Sequence, residues 1–520
     1  MSVDSGPPSV EMDSTARRDM SRFAGSYTFT MAADGLRMLL GTALLAMLTR
    51  QLGKAGYGSL QLAYLAVSVL GLASRWPIYA VVRFGRPEYD QTRGVSETMS
   101  SCMGLAAGGI VVSNLLAWAF HRQIQAFIGC DGLTLAVIVS YQSLAVLYSI
   151  ATQTQRAAGA FRLYALFDPF FQLVLCAGVA LLSLLGALDL RGAILAYCAA
   201  SGASLLAALW LARVRQGLRF RPSRKRMAEA ALYASPLLLA GMTTLASRLI
   251  DQSVIRVVLK STAQVGVFGL AMTIYENVCS APQTFAHLLF PILVSLRFAG
   301  TERMDAGRVS YYVRRLVYHF WVPYLLLLEC LAISAREIIW ILSGQEYADS
   351  MAPLMWLLPG AVVLGVRAML SPIFVTYDMV RQVTVITVMN CALNAALNLA
   401  FIGPFGIAGV AMSTFLVMVF ELAACLWLLR RRFGILDLRP LLPGALFALT
   451  VAIAMFVPAL GPRLGLWGAK MALTCFVIRR LGLLRREDEG LGDRFGLPAP
   501  AARLYRLWVR IWTPRAQSSA

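Results

Sequence analysis

The chain has 520 residues, of which 58% are hydrophobic and 14% are charged, and its mean hydropathy is +0.66. A soluble protein of this length would not bury so much apolar surface, so the composition excludes that class and indicates a membrane protein. The formal net charge of +20 would suggest nucleic-acid binding in a soluble protein. In a membrane protein, the positions of the Lys and Arg residues relative to the membrane spans have to be considered first.

Apolar segments recur along the whole chain, each of about 20 residues, the length that crosses the hydrocarbon core of a bilayer. They predict an all-α polytopic membrane protein with about 14 transmembrane helices. The predicted spans are residues 27–48, 59–82, 98–120, 133–152, 166–187, 192–213, 231–252, 264–286, 317–342, 352–376, 382–402, 405–429, 441–460 and 465–483.

An even number of spans places both termini on the same side of the membrane. With that side taken as cytoplasmic, the cytoplasmic segments hold 34 of the 47 Lys and Arg residues and the outer turns hold 8. This asymmetry is the positive-inside pattern of membrane proteins. We therefore expect cytoplasmic termini, and topology explains most of the positive charge without a nucleic-acid partner.

The first and seventh spans resemble each other in layout. Each carries an Asp and an Arg three residues apart, Asp34 with Arg37 and Arg248 with Asp251. Each is followed by a basic outer turn and a glycine–aromatic–glycine sequence, GYG in one case and GVFG in the other. Repeats of six spans keep the same orientation, so this layout predicts two pseudo-symmetric six-helix lobes with the substrate site between them, plus two extra C-terminal helices.

The repeat divides the chain into six predicted parts. They are a cytoplasmic N-terminal tail (1–24), an N-terminal six-helix lobe (25–215), a basic cytoplasmic linker (216–230), a C-terminal six-helix lobe (231–434), an extra helix pair (435–483) and a basic cytoplasmic tail (484–520). The tail includes RLYRLWVRIW at residues 503–512, whose arginines and tryptophans are spaced as in a helix that lies on a membrane surface.

Ionisable side chains inside the spans are costly to insert and usually face the interior of the bundle. The candidates among them are Asp34, Arg37, Arg75, Arg248, Asp251, Glu276, Glu329, Arg367 and Glu421, and Lys470 also lies inside a span. Two interpretations are open for the Asp–Arg pairs: they neutralise each other within one helix, or their arginines line a cavity and bind an anionic substrate. Glu329, alone in an apolar run, is compatible with ion coupling and equally with a silent, protonated group.

Motifs of other function classes are missing from the sequence. There is no GxxxxGK[ST] phosphate-binding loop, no zinc-ligand spacing and no large soluble domain, which argues against an ATP-driven pump and against most enzymes. The 9 cysteines have no paired spacing that would indicate a metal site or a disulfide framework. We therefore expect a protein that is not an enzyme and that uses no cofactor and no metal.

Four stretches resemble sequences of the Wzx-type polysaccharide flippases. They are LTRQLGKAGYGSLQLAY (48–64), PIYAVVRFGR (77–86), LIDQSVIRVVLKSTAQVGVFGLAMTIYE (249–276) and NAALNLAFIGPFGIAGVAMST (394–414). These flippases belong to the superfamily of multidrug, oligosaccharidyl-lipid and polysaccharide exporters, and the likeness covers most of residues 25–435. The superfamily has two six-helix lobes, and the extra helix pair resembles its lipid II flippase branch.

The resemblance implies that the protein moves an undecaprenyl-diphosphate-linked oligosaccharide across a bacterial inner membrane by alternating access. Its partners would be this substrate, the bilayer, and a polysaccharide polymerase and chain-length regulator for the export of O-antigen, capsule or exopolysaccharide. The implied diphosphate-binding residues are Arg37, Arg75, Arg248 and, at the outer mouth, Arg256. The polar and coupling candidates of the cavity are Asp34, Asp251, Glu276 and Glu329.

Three alternatives remain open at this stage. A cation-coupled multidrug exporter of the same fold would need acidic residues to dominate the cavity. A lipid II flippase differs from the main interpretation in the glycan that it carries. A membrane enzyme that polymerises or ligates the same glycans would usually need a sizeable extramembrane loop.

Overall fold

The structure is a computed structural model, and it describes residues 14–298, 309–310, 312–313, 317–437, 439, 441–484, 489 and 499–513. Within these residues every regular element is a helix, so the all-α class is confirmed. The chain is a multi-pass membrane protein, because several of the helices are long and apolar enough to cross a bilayer.

Seven α-helices make up residues 14–216, which we call the N-terminal half. They are α1 (Ser14–Arg75), α2 (Ile78–Thr92), α3 (Ser96–Ala119), α4 (His121–Ile128), α5 (Gly132–Ala157), α6 (Phe161–Leu184) and α7 (Leu190–Gln216). The helix α4 is only 8 residues long and ends at Gly129, which has a left-handed backbone with φ of 79°.

The C-terminal half, residues 224–433, also has a short helix between longer ones, but its longest helix comes last and not first. Its described helices are α8 (Arg224–Val258), α9 (Thr262–Phe298), α10 (Val317–Ile333), the short α11 (Ala335–Ser343), a 3-10 turn (Gln345–Ser350), α12 (Met351–Thr376) and α13 (Val380–Phe433). Three further helices follow: α14 (Leu441–Phe456), α15 (Leu460–Arg480) and α16 (Ala499–Trp512).

Seven helical stretches of the described chain are long and apolar enough to cross a membrane. Two of them, 32–75 and 380–433, each contain two of the predicted spans, and α10 and α14 are shorter apolar helices. Each predicted span overlaps a helix, and the predicted spans 59–82 and 317–342 run across a break between two helices. The number of times that the chain crosses the bilayer stays a prediction.

Two predicted breaks between spans are bends within continuous helices. The first and second spans join in α1 through one non-helical residue, Gly53, with φ of 64°. The eleventh and twelfth join in α13 through Gly406, with φ of 58°. Glycine takes a positive φ without steric cost, so the helix bends at one residue and no loop is needed.

Some helix bounds differ from the bounds of the predicted parts and spans. The first helix begins at Ser14, inside the predicted tail, and the linker between the halves shortens to residues 217–223. The predicted span 317–342 is divided at Ser334 into α10 and α11. The tail helix α16 was correctly placed, and Tyr505 on it shares a 2.9 Å hydrogen bond with His319 of α10.

The two halves meet along α1 and α9, which pack on each other. Within the N-terminal half α1 also packs on α6, and within the C-terminal half α9 packs on α12 and α8 on α13. One hydrophobic core runs through both halves and includes Tyr57, Phe268 and Trp321. The halves also meet where α8 packs on α2 and α3 and where α1 packs on α11, so several contacts together set how they sit on each other.

Candidate functional site at the contact between the halves

The closest approach of the two halves lies where their glycine motifs meet. A Cβ atom added to Gly58 would lie 1.9 Å from the carbonyl oxygen of Thr262, and one added to Gly266 would lie 2.1 Å from that of Lys54. Each glycine thus faces the carbonyl four residues before the other glycine. No other residue fits at this distance, so the repeated glycines are explained by packing between the halves. We call this contact the glycine seam.

The glycine seam lies at the end of the bundle that holds Gly53 and the turn at residues 259–261, which we call the outer end according to the predicted orientation. Beside the seam, Tyr57, the residue before Gly58, shares a 3.2 Å hydrogen bond with Thr273 of the other half, which stands two helical turns after Gly266. The amide of Gln61 donates to the Tyr57 hydroxyl at 2.7 Å. These three side chains form a polar layer beside the seam.

Arg248 pairs with a residue on the neighbouring helix. Its Nε donates to Oε1 of Glu276 at 2.6 Å, and its Nη2 donates to the other carboxylate oxygen, so the contact is bidentate. The Arg248 side chain remains 46% exposed and that of Glu276 32% exposed. The expected alternative, a pair of Arg248 with Asp251 in the same helix, was therefore wrong. The hydroxyl group of Tyr57 is close enough to the Arg248 guanidinium for the two groups to interact electrostatically.

Asp251 contacts α13 and not α9, although it stands only three residues after Arg248, and it is 2% exposed. Its Oδ1 accepts hydrogen bonds from the amides of Asn394 and Asn398, at 2.8 and 2.7 Å. Its Oδ2 accepts from the hydroxyl of Thr414 at 3.2 Å. Asn394 and Asn398 stand four residues apart on one face of α13, so both amides reach the same carboxylate on α8.

The surroundings of Asp251 contain more oxygen acceptors than donors. The side-chain carbonyl oxygens of Asn390, Asn394 and Asn398 are buried and have no hydrogen-bond partner within the described chain. Buried polar atoms normally have a partner. A carboxylate together with amide and hydroxyl oxygens suits a small hard cation, and the carboxylate alone suits a proton.

The first charged pair is intrahelical, as one interpretation expected. The guanidinium of Arg37 lies 3.7 Å from the carboxylate of Asp34, and the two side chains are 35% and 38% exposed. A third charge, Asp168 of α6, lies within electrostatic range of both. Asp168 was not predicted as a site residue. It stands next to Pro169 at the start of a predicted span, where a charged residue is usually taken to lie at the membrane surface.

Arg75 ends α1 and is only partly exposed. Its Nε is buried without a hydrogen-bond partner, and it forms no ion pair with a described residue. The carboxylates of Asp34 and Glu276 are paired with Arg37 and Arg248 instead. Arg75 is therefore a cation without a described counter-ion.

Two further candidates lie away from the contact between the halves. Glu329 is 0% exposed and is bonded to the Lys470 ammonium and the Thr450 hydroxyl, both on the extra helix pair. It holds that pair against α10 and does not line the site. Glu421 pairs at 2.6 Å with Arg367 on α12, and not with the arginines that end its own helix.

Arg256, expected to bind substrate at the outer mouth, is bonded to backbone. Its Nε and Nη2 donate to the carbonyl oxygens of Phe127 and Ala126, at 2.7 and 3.0 Å. These carbonyls belong to the last turn of α4 in the other half. In this conformation Arg256 therefore joins the halves.

Comparison with known proteins agrees with the observed fold. A family model described as lipid II flippase MurJ matches residues 342–473. No curated protein matches the chain in sequence. A solved structure of the lipid II flippase MurJ in an inward closed conformation has a TM-score of 0.64 and 13% identity, and the match covers 87% of this chain and 96% of that one.

Multidrug transporters have the same arrangement of helices. An inward-facing MATE family transporter of the MOP superfamily has a TM-score of 0.64 and 13% identity, over 78% of this chain and 98% of that one. A MATE multidrug transporter in complex with R6G has a TM-score of 0.51 and 14% identity, over 83% of this chain and 100% of that one. The described chain has the fold that the lipid II flippase MurJ shares with the MATE transporters of the MOP superfamily.

Proposed function

We propose that the protein flips a polyprenyl-diphosphate-linked saccharide across the bacterial inner membrane by alternating access, with two six-helix lobes and an extra helix pair forming fourteen spans. The family model supports a substrate resembling lipid II ahead of one destined for O-antigen, capsule or exopolysaccharide. A polymerase and a chain-length regulator would be partners only if the substrate is destined for O-antigen, capsule or exopolysaccharide.

The bidentate pair of Arg248 and Glu276 is the observation that carries the proposal. A planar guanidinium fork matches phosphate oxygens as well as it matches a carboxylate. Because Arg248 is 46% exposed, a diphosphate can reach it without unfolding the helix. Glu276 would neutralise the arginine while the site is empty, and the substrate would take its place. Arg37, partnered by Asp34, offers an equivalent group in the N-terminal half.

Asp251 supports a coupling role at a distance from the substrate. It lies on the same helix as Arg248, three residues on, but faces α13. A cation or proton that binds there would draw α8 towards α13 and change the position of Arg248. We assign coupling to Asp251 and not to Glu329, whose carboxylate is already neutralised by Lys470.

A cation-coupled multidrug exporter is the second candidate. The carboxylates of Asp34 and Asp168 favour it, because they outnumber the one arginine beside them and would attract a cationic drug. Arg75, which has no described counter-ion, argues against it.

Purified protein in liposomes can separate these functions. We expect translocation of a fluorescent lipid II analogue, at least tenfold slower in Arg248→Ala than in wild type if the lost contact contributes about 1.5–3 kcal/mol, as hydrogen bonds to charged groups do. Arg122→Ala, which removes an exposed arginine of α4, is the matched control and should transport normally. Full translocation by Arg248→Ala would refute the assignment. Export of the dye R6G without lipid movement would favour the drug exporter, and glycosyl transfer would establish an enzyme.

A further inference from the structure

Two arginines at the outer end each cap a short helix that belongs to the opposite half. Arg256 of the C-terminal half binds the end of α4, as described above. Arg50 of the N-terminal half binds the end of α11: its Nε donates to the carbonyl of Leu342 at 3.2 Å and its Nη2 to that of Ile341 at 2.5 Å. We call these two contacts the outer clasps.

The outer clasps are equivalent atom by atom. The helix α4 ends at Gly129 and α11 ends at Gly344, and both glycines have φ of 79°. In each clasp Nε binds the carbonyl two residues before the glycine and Nη2 binds the carbonyl three residues before it. Such agreement between parts of the chain that lie more than 200 residues apart follows the same symmetry as the glycine seam.

The chemistry of both contacts is that of helix capping. The last carbonyls of an α-helix have no partner inside the helix and lie at the negative end of its dipole. An arginine fork satisfies two of them with charge-assisted hydrogen bonds. Because each clasp joins one half to the other, its hydrogen bonds exist only while the halves are together at the outer end.

The surroundings of the clasps are rich in positive charge. Lys54 and Lys260 lie on the same two outer turns, Lys54 is 3.4 Å from Asp349, and exposed Lys260 has no ion-pair partner within the described chain. With Arg50 and Arg256 these make four cations beside the carboxylates of Asp349 and Glu346, while the carboxylate of Asp131 next to α4 is already paired with Arg191 at 2.7 Å. Separating the halves would leave two arginine forks without their carbonyl partners, beside an excess of positive charge that attracts phosphate.

We propose that Arg50 and Arg256 exchange the carbonyl ends of α11 and α4 for the phosphate groups of a lipid diphosphate, so that the outer clasps both hold the outer end closed and form the exit site for the substrate. The proposal rests on the flippase function for its ligand. The closing role of the clasps does not depend on any substrate, and it is tested separately.

The first test measures the opening of the outer end directly. Spin labels are attached at Leu185 and Phe405, exposed side chains near the outer ends of the two halves, after replacement of the native cysteines. Arg50→Ala and Arg256→Ala should each raise the ratio of open to closed protein about tenfold, the effect of losing a charge-assisted contact, and the double variant about a hundredfold. Arg122→Ala is the matched control and should leave the distances unchanged.

Two outcomes of this test are decisive. An unchanged distance distribution in the folded double variant overturns the closing role. If an alanine variant does not fold, Arg50→Lys and Arg256→Lys replace it, because lysine keeps the charge but loses the two-pronged contact. Opening of the lysine variants supports the proposal, and lysine variants that stay closed overturn it.

The second test addresses the ligand. Undecaprenyl diphosphate in the bilayer and inorganic pyrophosphate in solution are added separately to the labelled wild-type protein, with undecaprenol as the control for the lipid chain. Opening with the lipid diphosphate alone supports the proposal, and opening with both compounds assigns the site to diphosphate from either source. If neither compound opens the protein although the alanine variants are open, the exit site is refuted while the closing role and the flippase function stand.

Discussion

Glu329 and Lys470 form an ion pair in which the two side chains are 0% and 2% exposed. The pair joins α10 of the C-terminal half to α15 of the extra helix pair, and the Thr450 hydroxyl on α14 donates to the second carboxylate oxygen. Three helices therefore meet at one carboxylate. The pair explains how two helices outside the repeat are attached to it.

We expect single removal of either charge to destabilise the protein more than removal of both. Lys470→Met leaves a buried, unpaired carboxylate, which costs about 3–5 kcal/mol. The double variant Glu329→Leu with Lys470→Met replaces the pair by apolar side chains and should recover most of the loss. Thermal unfolding in detergent measures this, and additive effects of the two substitutions would contradict a coupled pair.

Alanine at the glycine seam should force the halves apart. Gly58→Ala places a methyl group in the Thr262 carbonyl, and Gly266→Ala does the same at Lys54, so each should cost about 1–3 kcal/mol or shift the protein towards an outer-open form. Gly202→Ala in α7 is the control, because a Cβ there meets nothing within 4 Å and should be neutral or stabilising. Unfolding temperatures and the Leu185–Phe405 distance report both effects. Normal stability and closure in Gly58→Ala would rule out the contact.

Replacing Asp251 by asparagine should remove ion coupling while leaving the fold intact. The side chain keeps its size, and Asn394, Asn398 and Thr414 still surround it, but the negative charge is lost. We expect the wild-type protein to be stabilised by Na⁺ relative to choline at equal ionic strength, or to transport with a rate that depends on a proton gradient. Asp251→Asn should lose that dependence, whereas Asp349→Asn at the exposed outer turn should keep it. An unchanged dependence in Asp251→Asn would place coupling elsewhere.

Asp168→Asn should distinguish the two candidate functions. It removes one of the two carboxylates near Arg37 and makes this part of the interior more positive. An anionic lipid should then bind at least as well, with a lower or equal KM, whereas export of a cationic drug should be impaired. Concentration dependence with the lipid II analogue and with R6G measures both. Loss of lipid flipping together with retained dye export would favour the drug exporter.

Most of the long helices were predictable, because a run of about 20 apolar residues almost always forms a membrane-spanning helix. The short helices α4 and α11 were not predicted, because their 8 and 9 residues are fewer than a span requires. The sequence predicts a loop at residues 121–128 and part of a span at residues 335–342. The bends at Gly53 and Gly406 were placed correctly as turns, but a glycine in sequence does not reveal that one residue suffices.

The ion-pair and hydrogen-bond partners of most charged residues could not be predicted from the sequence. The position of Asp251 three residues after Arg248 suggests a pair, yet the two side chains point to different helices. Glu329 finds Lys470 at a separation of 141 residues, and no local pattern indicates this. The internal repeat indicated that the seventh span carries candidate site residues. The role of each residue depends on its side-chain contacts with neighbouring helices, which the repeat does not reveal.

The reciprocity of the glycine seam bears on how such a chain could arise. Gly58 faces the carbonyl of Thr262 and Gly266 faces that of Lys54, so the contact is the same seen from either half. This is the relation found in isologous interfaces, where two copies of one subunit meet around a two-fold axis. An ancestral six-helix subunit could have closed on a second copy of itself through this surface, and gene duplication followed by fusion through the segment at 217–223 would preserve that dimer within one polypeptide.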